Sequence, residues 1–485
     1  MASSSGDDIA GNRRNAPCLQ PPRVYATVVL VLTLLVSACG GSGGAGGKQS
    51  GRTGFIGGVV ADEPRAALAG RDVLVAGGNA MDAATAVGLT LAVTLPSRAG
   101  LGSGGACLVY APPRKSPNGG NPEAVLFTPL APKGAVGEAE RPASVPMLAR
   151  GLFLLHARYG VIPFEALLAT PMQLARNGVP VSRALARDLA LVSGPLFGDP
   201  ASRTVFSRDG TPLSEGQVLI QPELGATLAQ LQSSGVGDMY QGEMAHRIVQ
   251  ASRLTGGPLR LADLRAALPR LAAPVVQTFG ADKLAYLPPP ADGGLAAAAA
   301  FQVLERDPAN LAGASARALA AAVRWRQGGV TPDAVLASAD LPQAGLPPLP
   351  ASTSFATLDR GGNAVVCAVT MDNLFGNGRM LPGLGFIPAA SPDSVPAPLL
   401  SAALAWNERR QAFHAEVGGS GQNGAPIAVA AGMLNALRTG KPMSTEVPDP
   451  GRANAIVCGG YLPDSEKSCG WATDPRGSGL ATGAN

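Results

Sequence analysis

The stretch Ser352-Thr353-Ser354-Phe355-Ala356-Thr357-Leu358-Asp359 constrains the fold more than any other. A small hydroxyl residue opens it. Phe355 to Leu358 and then Ala364 to Met371 alternate with period two, which predicts two short strands. Gly362-Asn363 lies between them, and the cluster Leu374-Phe375-Gly376-Asn377-Gly378 follows. Upstream, residues 328–350 carry several prolines and glycines without periodicity and read as an extended surface segment. Ser352 therefore stands where an exposed connector enters a strand, the setting that a self-cleaving junction needs. Taken alone it is also an ordinary serine in a loop before a strand.

The first 39 residues read as a targeting segment. Arg13, Arg14 and Arg23 precede an apolar run from Val24 to Val36, interrupted by Thr27 and Thr33. That run is shorter than the ~20 residues of a membrane span. It ends in Val36-Ser37-Ala38-Cys39, which looks like a bacterial lipoprotein signal with Cys39 as the lipidated first residue. An ordinary secretory signal and an uncleaved anchor are the alternatives. Residues 40–53 are rich in Gly and Ser and read as a flexible tether. Gly40 at the second mature position points to the outer membrane. The expected location is the cell envelope, with the lipoprotein facing the periplasm.

The hydrophobic fraction of 46% is enough for a large core. A net charge of +4 with no basic run gives no sign of a nucleic-acid partner. Cys107 and Cys367 sit in apolar runs and read as buried free thiols, whereas Cys458 and Cys469 read as a disulfide. Three histidines without motif context, His156, His246 and His414, and no C-x-x-C argue against zinc and against a His-based triad. No cofactor is expected. The cluster Gly100-Leu101-Gly102-Ser103-Gly104-Gly105 precedes a strand and lacks Gly-Lys-Ser/Thr, so it reads as close backbone packing and not as a phosphate loop.

Residues 57–61 read as a first strand, Pro64 to Ala76 and Ala83 to Leu95 as helices, the second buried all round, and Ala106 to Tyr110 as a strand. Helical signals dominate from Ser144 to Val192. They recur from Gln221, before the Ala-rich run that follows Gly293-Gly294, and from Ala425 to Leu437. Strands and helices together predict an α+β chain. Beyond Gly440 the composition shifts to Pro, Gly and Ser and predicts a loosely held tail.

Several segments resemble gamma-glutamyltranspeptidases, which are N-terminal-nucleophile hydrolases. They are residues 77–84, residues 96–105, Ala175-Arg176-Asn177-Gly178, Gln221-Pro222-Glu223-Leu224, Asp238-Met239-Tyr240-Gln241-Gly242, and Leu287-Pro288-Pro289-Pro290 with Gly293-Gly294. Phe355, Asp359 and Gly362-Asn363-Ala364-Val365 complete the set. The resemblance implies a four-layer α-β-β-α sandwich and self-cleavage between Ala351 and Ser352. It implies a large-subunit part over 54–351, a small catalytic part over 352–437 and a tail over 438–485. The two fragments would then be each other's partners.

Ser352 takes the place of the family's threonine nucleophile, with Thr353 beside it. Thr370 matches the hydroxyl that bonds the nucleophile, and Gly418-Gly419 matches the pair that forms the oxyanion hole. Asp372 replaces an asparagine on the substrate-amine side. The family's arginine for the glutamyl α-carboxylate falls on Thr128, and its two serines fall near Leu400-Ser401, leaving only Ser401. Its later Gln and Asp fall near Ser391 and Ser394. Arg98 could supply a substitute charge, or could be a solvated surface residue. The resemblance thus implies an acyltransferase or amidohydrolase acting on a gamma-glutamyl or related amide. The competing reading is a weak or inactive homologue kept as a lipid-anchored binding or scaffold protein.

Overall fold

The alternation in residues 352–370 becomes the centre of a seven-stranded sheet. The computed structural model describes residues 54–133, 140–347, 351–442 and 447–484. The signal peptide, Cys39 and the 40–53 tether lie outside the described residues. Among the described residues no helix is long and apolar enough to cross a membrane.

The strands are β1 (Gly57–Ala61), β2 (Gly104–Tyr110), β3 (Glu123–Phe127), β4 (Arg270–Ala272), β5 (Val275–Phe279) and β6 (Asp282–Tyr286). They continue with β7 (Ser352–Asp359), β8 (Ala364–Thr370), β9 (Ser401–Asn407), β10 (Ala412–Ser420), β11 (Arg452–Leu462), β12 (Cys469–Thr473) and β13 (Leu480–Ala484). One sheet has the order β13-β1-β7-β8-β2-β3-β4 and the other β12-β11-β10-β9-β6-β5. The pairs in both are antiparallel.

Side-chain alternation sorts each strand between two cores. Phe355, Val365, Cys367 and Val369 join the helices α1 (Pro64–Val75), α2 (Ala80–Thr94) and α3 (Leu148–Tyr159) in one core. Ala356, Leu358, Val366 and Ala368 meet Ala402, Leu404, Phe413 and Ile456 in a second core, between the sheets. A third core packs α4 (Gly293–Arg306), α5 (Leu311–Arg326) and α6 (Ala425–Thr439) on the six-stranded sheet. The layers are therefore helix, sheet, sheet, helix. Helix α2 is buried along its whole length, as its near-uniform apolar sequence requires, and Asn79 and Asp82 close its start as a reciprocal capping box.

Two expectations need correction. Residues 452–484 are not a loose tail. They form β11 and β12 beside β10 and the edge strand β13 beside β1. Ala455 and Val457 face α6 while Ile456 and Cys458 face the other sheet, a period-two pattern that the surrounding Gly and Pro had masked. Cys107 and Cys367 are not free thiols either. They stand opposite each other on β2 and β8 and form a disulfide, with Cα atoms 4.0 Å apart. Facing positions on adjacent antiparallel strands bring β-carbons close enough for a bridge. Cys458 and Cys469, also opposite each other, form the second disulfide.

Glu416 on β10 is fully buried, and its carboxyl oxygens have no hydrogen-bond partner. Burial pushes its pKa well above the ordinary carboxylate range. The folded protein therefore holds a proton that the unfolded chain releases above about pH 4.5. Stability should fall as pH rises from that point toward the folded pKa. Glu416→Gln removes this titration. Urea midpoints at pH 5 and pH 8 should show the wild type losing stability relative to the variant at the higher pH. Parallel behaviour of the two proteins would contradict the assignment.

Candidate functional site

Ser352 and Thr370 stand opposite each other where β7 begins and β8 ends. By alternation both side chains face the space between the sheets. Thr370 Oγ1 donates to the carbonyl oxygen of Ala351 at 2.9 Å. The Met371 N–H donates to the same oxygen at 3.4 Å. The backbone N–H of Asp372 donates to Thr370 Oγ1 at 2.8 Å, which fixes the hydroxyl rotor toward Ala351. Ser352 is 1% exposed, and its hydroxyl has no partner. The Ala351–Ser352 peptide thus has a carbonyl already polarised by two donors and an unoccupied hydroxyl on the adjoining residue.

The head of β7 is clamped from its other side. Asp62, just after β1, accepts from Thr353 Oγ1 at 2.9 Å and from the Ser354 N–H at 3.2 Å. Asn454 on β11 donates to Asp62 at 2.8 Å and to the Ser354 carbonyl at 3.0 Å. Thr353 therefore anchors the strand. Asp62 and Asn454 were not legible as site residues, because each carries no motif and they meet only through the fold. Gln422 and Asn423, at the start of α6, were missed for the same reason. Their amides donate to the carbonyls of Pro347 at 3.4 Å and Leu346 at 2.5 Å, holding the segment that leads to the Ala351–Ser352 bond.

Gly418 and Gly419 lie inside β10, opposite Ala402 and Ser401 on one side and Asn454 and Ala453 on the other. A β-carbon on Gly418 would stand 2.9 Å from Ser354 Cβ, and one on Gly419 would stand 2.6 Å from the Ala425 carbonyl oxygen. Both glycines are therefore needed for close packing, one against β7 and the other against α6. In this uncut chain the donors on the Ala351 carbonyl come from Thr370 and Met371. Ser401 starts β9 and spends its hydroxyl proton on the Leu399 carbonyl at 2.9 Å.

Asp372 has a left-handed backbone (φ 60°), and both carboxylate oxygens are buried without a partner. Burial pushes its pKa up to about 8, against a smaller opposing pull from Arg326. The next residues, Asn373 and Leu374, wall a cleft of about 390 Å³ together with Arg141, Asn377 and Ser394. Arg98 is neither a solvated residue nor a free clamp. Asp188 holds it through two bonds, at 2.7 and 2.6 Å. Arg326 is likewise bound to Asp292 and to the Ala397 carbonyl. Position 128 offers no charge. His414 is bonded to Asp282 and His156 to the Ile162 carbonyl, so neither ring is bonded to a serine.

The gamma-glutamyltranspeptidase family profile matches residues 66–326, more than half of the chain. The chain belongs to the gamma-glutamyltranspeptidase family. It is 30% identical over 266 residues to the glutathione hydrolase proenzyme of Escherichia coli, covering 51% of this chain and 45% of that protein. It is 27% identical over 388 residues to the corresponding proenzyme of Pseudomonas aeruginosa, covering 68% and 66%. The chain spans about half the length of most of the curated relatives it matches. Cephalosporin acylase from Bacillus halodurans superposes with a TM-score of 0.71 at 20% identity, over 88% of this chain and 96% of that one. Helicobacter pylori gamma-glutamyltranspeptidase gives 0.51 at 25% identity, over 59% and 89%. The fold is the N-terminal-nucleophile hydrolase sandwich. The profile match ends before Ser352, so the chemistry of that residue has to be argued from its geometry.

Removing one preorganised donor from a developing oxyanion typically slows a reaction about 10²–10³-fold. Thr370→Val keeps the shape of the side chain and removes the donor. It should slow any cleavage before Ser352 by roughly that factor, whereas Thr370→Ser should stay within a few-fold of wild type. Time courses on reducing gels would measure both. Equal rates for the valine and serine variants would contradict the role given to the hydroxyl.

Proposed function

We propose that the chain cuts itself between Ala351 and Ser352 and that the new N-terminal Ser352 then hydrolyses or transfers the acyl group of a small amide. The observation that carries this reading is the Ala351 carbonyl, held by Thr370 Oγ1 and the Met371 N–H beside the unpartnered Ser352 hydroxyl. In the first step Ser352 Oγ bonds to the Ala351 carbonyl carbon. The hydroxyl proton passes to the Ser352 nitrogen as the C–N bond breaks, leaving an ester. Water then adds to the ester carbonyl and the C–O bond breaks. The products are the Ala351 carboxylate, a free hydroxyl and a free α-amine.

The α-amine supplies the base that the isolated hydroxyl lacks. It takes the Ser352 hydroxyl proton as Oγ attacks the donor carbonyl, and passes it to the departing amine. The acyl-enzyme ester is resolved by water or by an acceptor amine. Gly418-Gly419 is the proposed oxyanion site in the cut enzyme, where the donors now committed to the Ala351 carbonyl are released. Thr353 and Ser401, bound to Asp62 and to the Leu399 carbonyl on the helix-facing sides of their strands, place the strands and do not border the donor.

The donor reading is asymmetric. A buried carboxyl at Asp372 without a partner suits a cationic ammonium near the reacting carbonyl. On the opposite side Arg98 and Arg326 are already paired and position 128 is a threonine, so that a donor carboxylate would have to reach Arg141 on the wall of the adjoining cleft. A hydroxyl does not replace a two-pronged guanidinium. The donor is therefore an amide with an amino group near the acyl carbon, a class that includes γ-glutamyl amides, and without an arginine at position 128 it depends less on their carboxylate than on their ammonium. The run ending in Cys39, read as a lipid-attachment signal, together with two disulfides, supports an oxidising, membrane-attached setting in the cell envelope.

Ser352→Ala should remain a single chain, and the wild type should convert to two fragments on a reducing gel. A wild type that stays whole on prolonged incubation would overturn the enzyme reading in favour of a binding or scaffold protein. Release of p-nitroaniline from a γ-glutamyl anilide should be slow, and removing the donor's α-carboxylate should cost less than tenfold in kcat/KM, about 1.4 kcal/mol. Rapid turnover that collapses without that carboxylate would contradict the donor assignment.

A further inference from the structure

The Cys107–Cys367 disulfide joins residues 260 apart, on opposite sides of the Ala351–Ser352 bond. We infer that it converts the cut protein into a covalently closed heterodimer, whose nucleophile-bearing fragment cannot leave. This rests on the cleavage proposed above, although the cross-link itself does not depend on what cuts the chain. The other disulfide, Cys458–Cys469, lies wholly within the second fragment and ties nothing across the boundary.

The position of the bridge matters more than its presence. After cleavage, β7 and β8 belong to one fragment while their sheet neighbours β1 and β2 belong to the other. The β7–β8 hairpin that carries the nucleophile is thus held on both sides by ladder bonds between fragments. The bridge crosses one of those boundaries, on the rung that pairs β8 with β2. It lies three residues from Thr370, on the opposite face of the strand from the site, and both cysteines are fully buried. A reductant therefore needs the sheet to open before it can reach the sulfurs. Both cysteines meet in the uncut sheet, so the bridge closes before cutting. Its two thiols give two electrons and two protons to a disulfide oxidant of the envelope, which becomes a dithiol.

The physical consequence is molecularity. Two fragments held only by packing and ladder bonds reassemble at a rate that falls with dilution. Tethered fragments reassemble as one molecule, at an effective concentration set by the chain. The protein would thus recover its site after local or complete unfolding in an extracytoplasmic setting, where a lost fragment is not replaced.

The test uses the full chain in two forms, the wild type and Ser352→Ala carrying an added protease site in the exposed Pro342–Gly345 stretch. On denaturing gels without reductant, each cut protein should run as one species of the combined mass. A phosphine reductant, which becomes a phosphine oxide as the disulfide gains two hydrogens, should split it into two. The doubly substituted Cys107→Ala, Cys367→Ala protein, cut in the same way, should separate without reductant. After unfolding in urea and dilution, its refolding yield should fall as protein concentration falls, while that of the tethered protein should not. Separation of the wild-type cysteines' fragments without reductant would overturn the inference. A wild type that remains whole with reductant would defeat self-cleavage alone, because the protease-cut protein still reads the tether.

Discussion

The contact between Thr370 and the Ala351 carbonyl is the interaction on which the rest of the site depends. It exists because β7 and β8 pair in a register that sets Ser352 opposite Thr370. A slip of one residue would turn Ser352 toward the helices and Thr370 away from the bond it polarises. The register is held from several directions. Asp62 and Asn454 bind the head of β7, Thr357 bonds to the start of α2, and the Cys107–Cys367 bridge locks β8 to β2. What looks like a stability device in the sheet is therefore also a positioning device for one hydroxyl.

Much of this was legible in sequence. The alternation over 352–370 identified the two strands because one face of each is apolar and the chain passes through them without interruption. The uniformly apolar α2 announced its own burial. Other features could not be read, for a common reason. The cross-link between Cys107 and Cys367 depends on two strands distant in sequence being neighbours, and nothing local distinguishes it from two buried thiols. Arg98 looked free because its partner, Asp188, comes from a helix far along the chain. The strands at 452–484 were hidden by Gly and Pro, which lower local β-propensity although packing against β10 and β1 overrides it.

The proposed site combines a nucleophile junction with an altered set of surrounding charges. The Ser352 hydroxyl stands free beside the Ala351 carbonyl that Thr370 holds, and the sandwich around them is intact. The surrounding charges are rearranged. Position 128 carries no charge, Arg98 and Arg326 are committed to Asp188 and Asp292, and Asp372 is an unpartnered buried acid. None of them disturbs the geometry at Ala351.

The N-terminal residue of the smaller fragment tests the central claim most directly. Sequencing the fragments of purified wild-type protein after reduction should give Ser-Thr-Ser-Phe, the sequence that begins at Ser352. A wild-type protein that yields a single N-terminus from its amino-terminal region, or a cut elsewhere in the exposed 338–347 segment, would contradict the account.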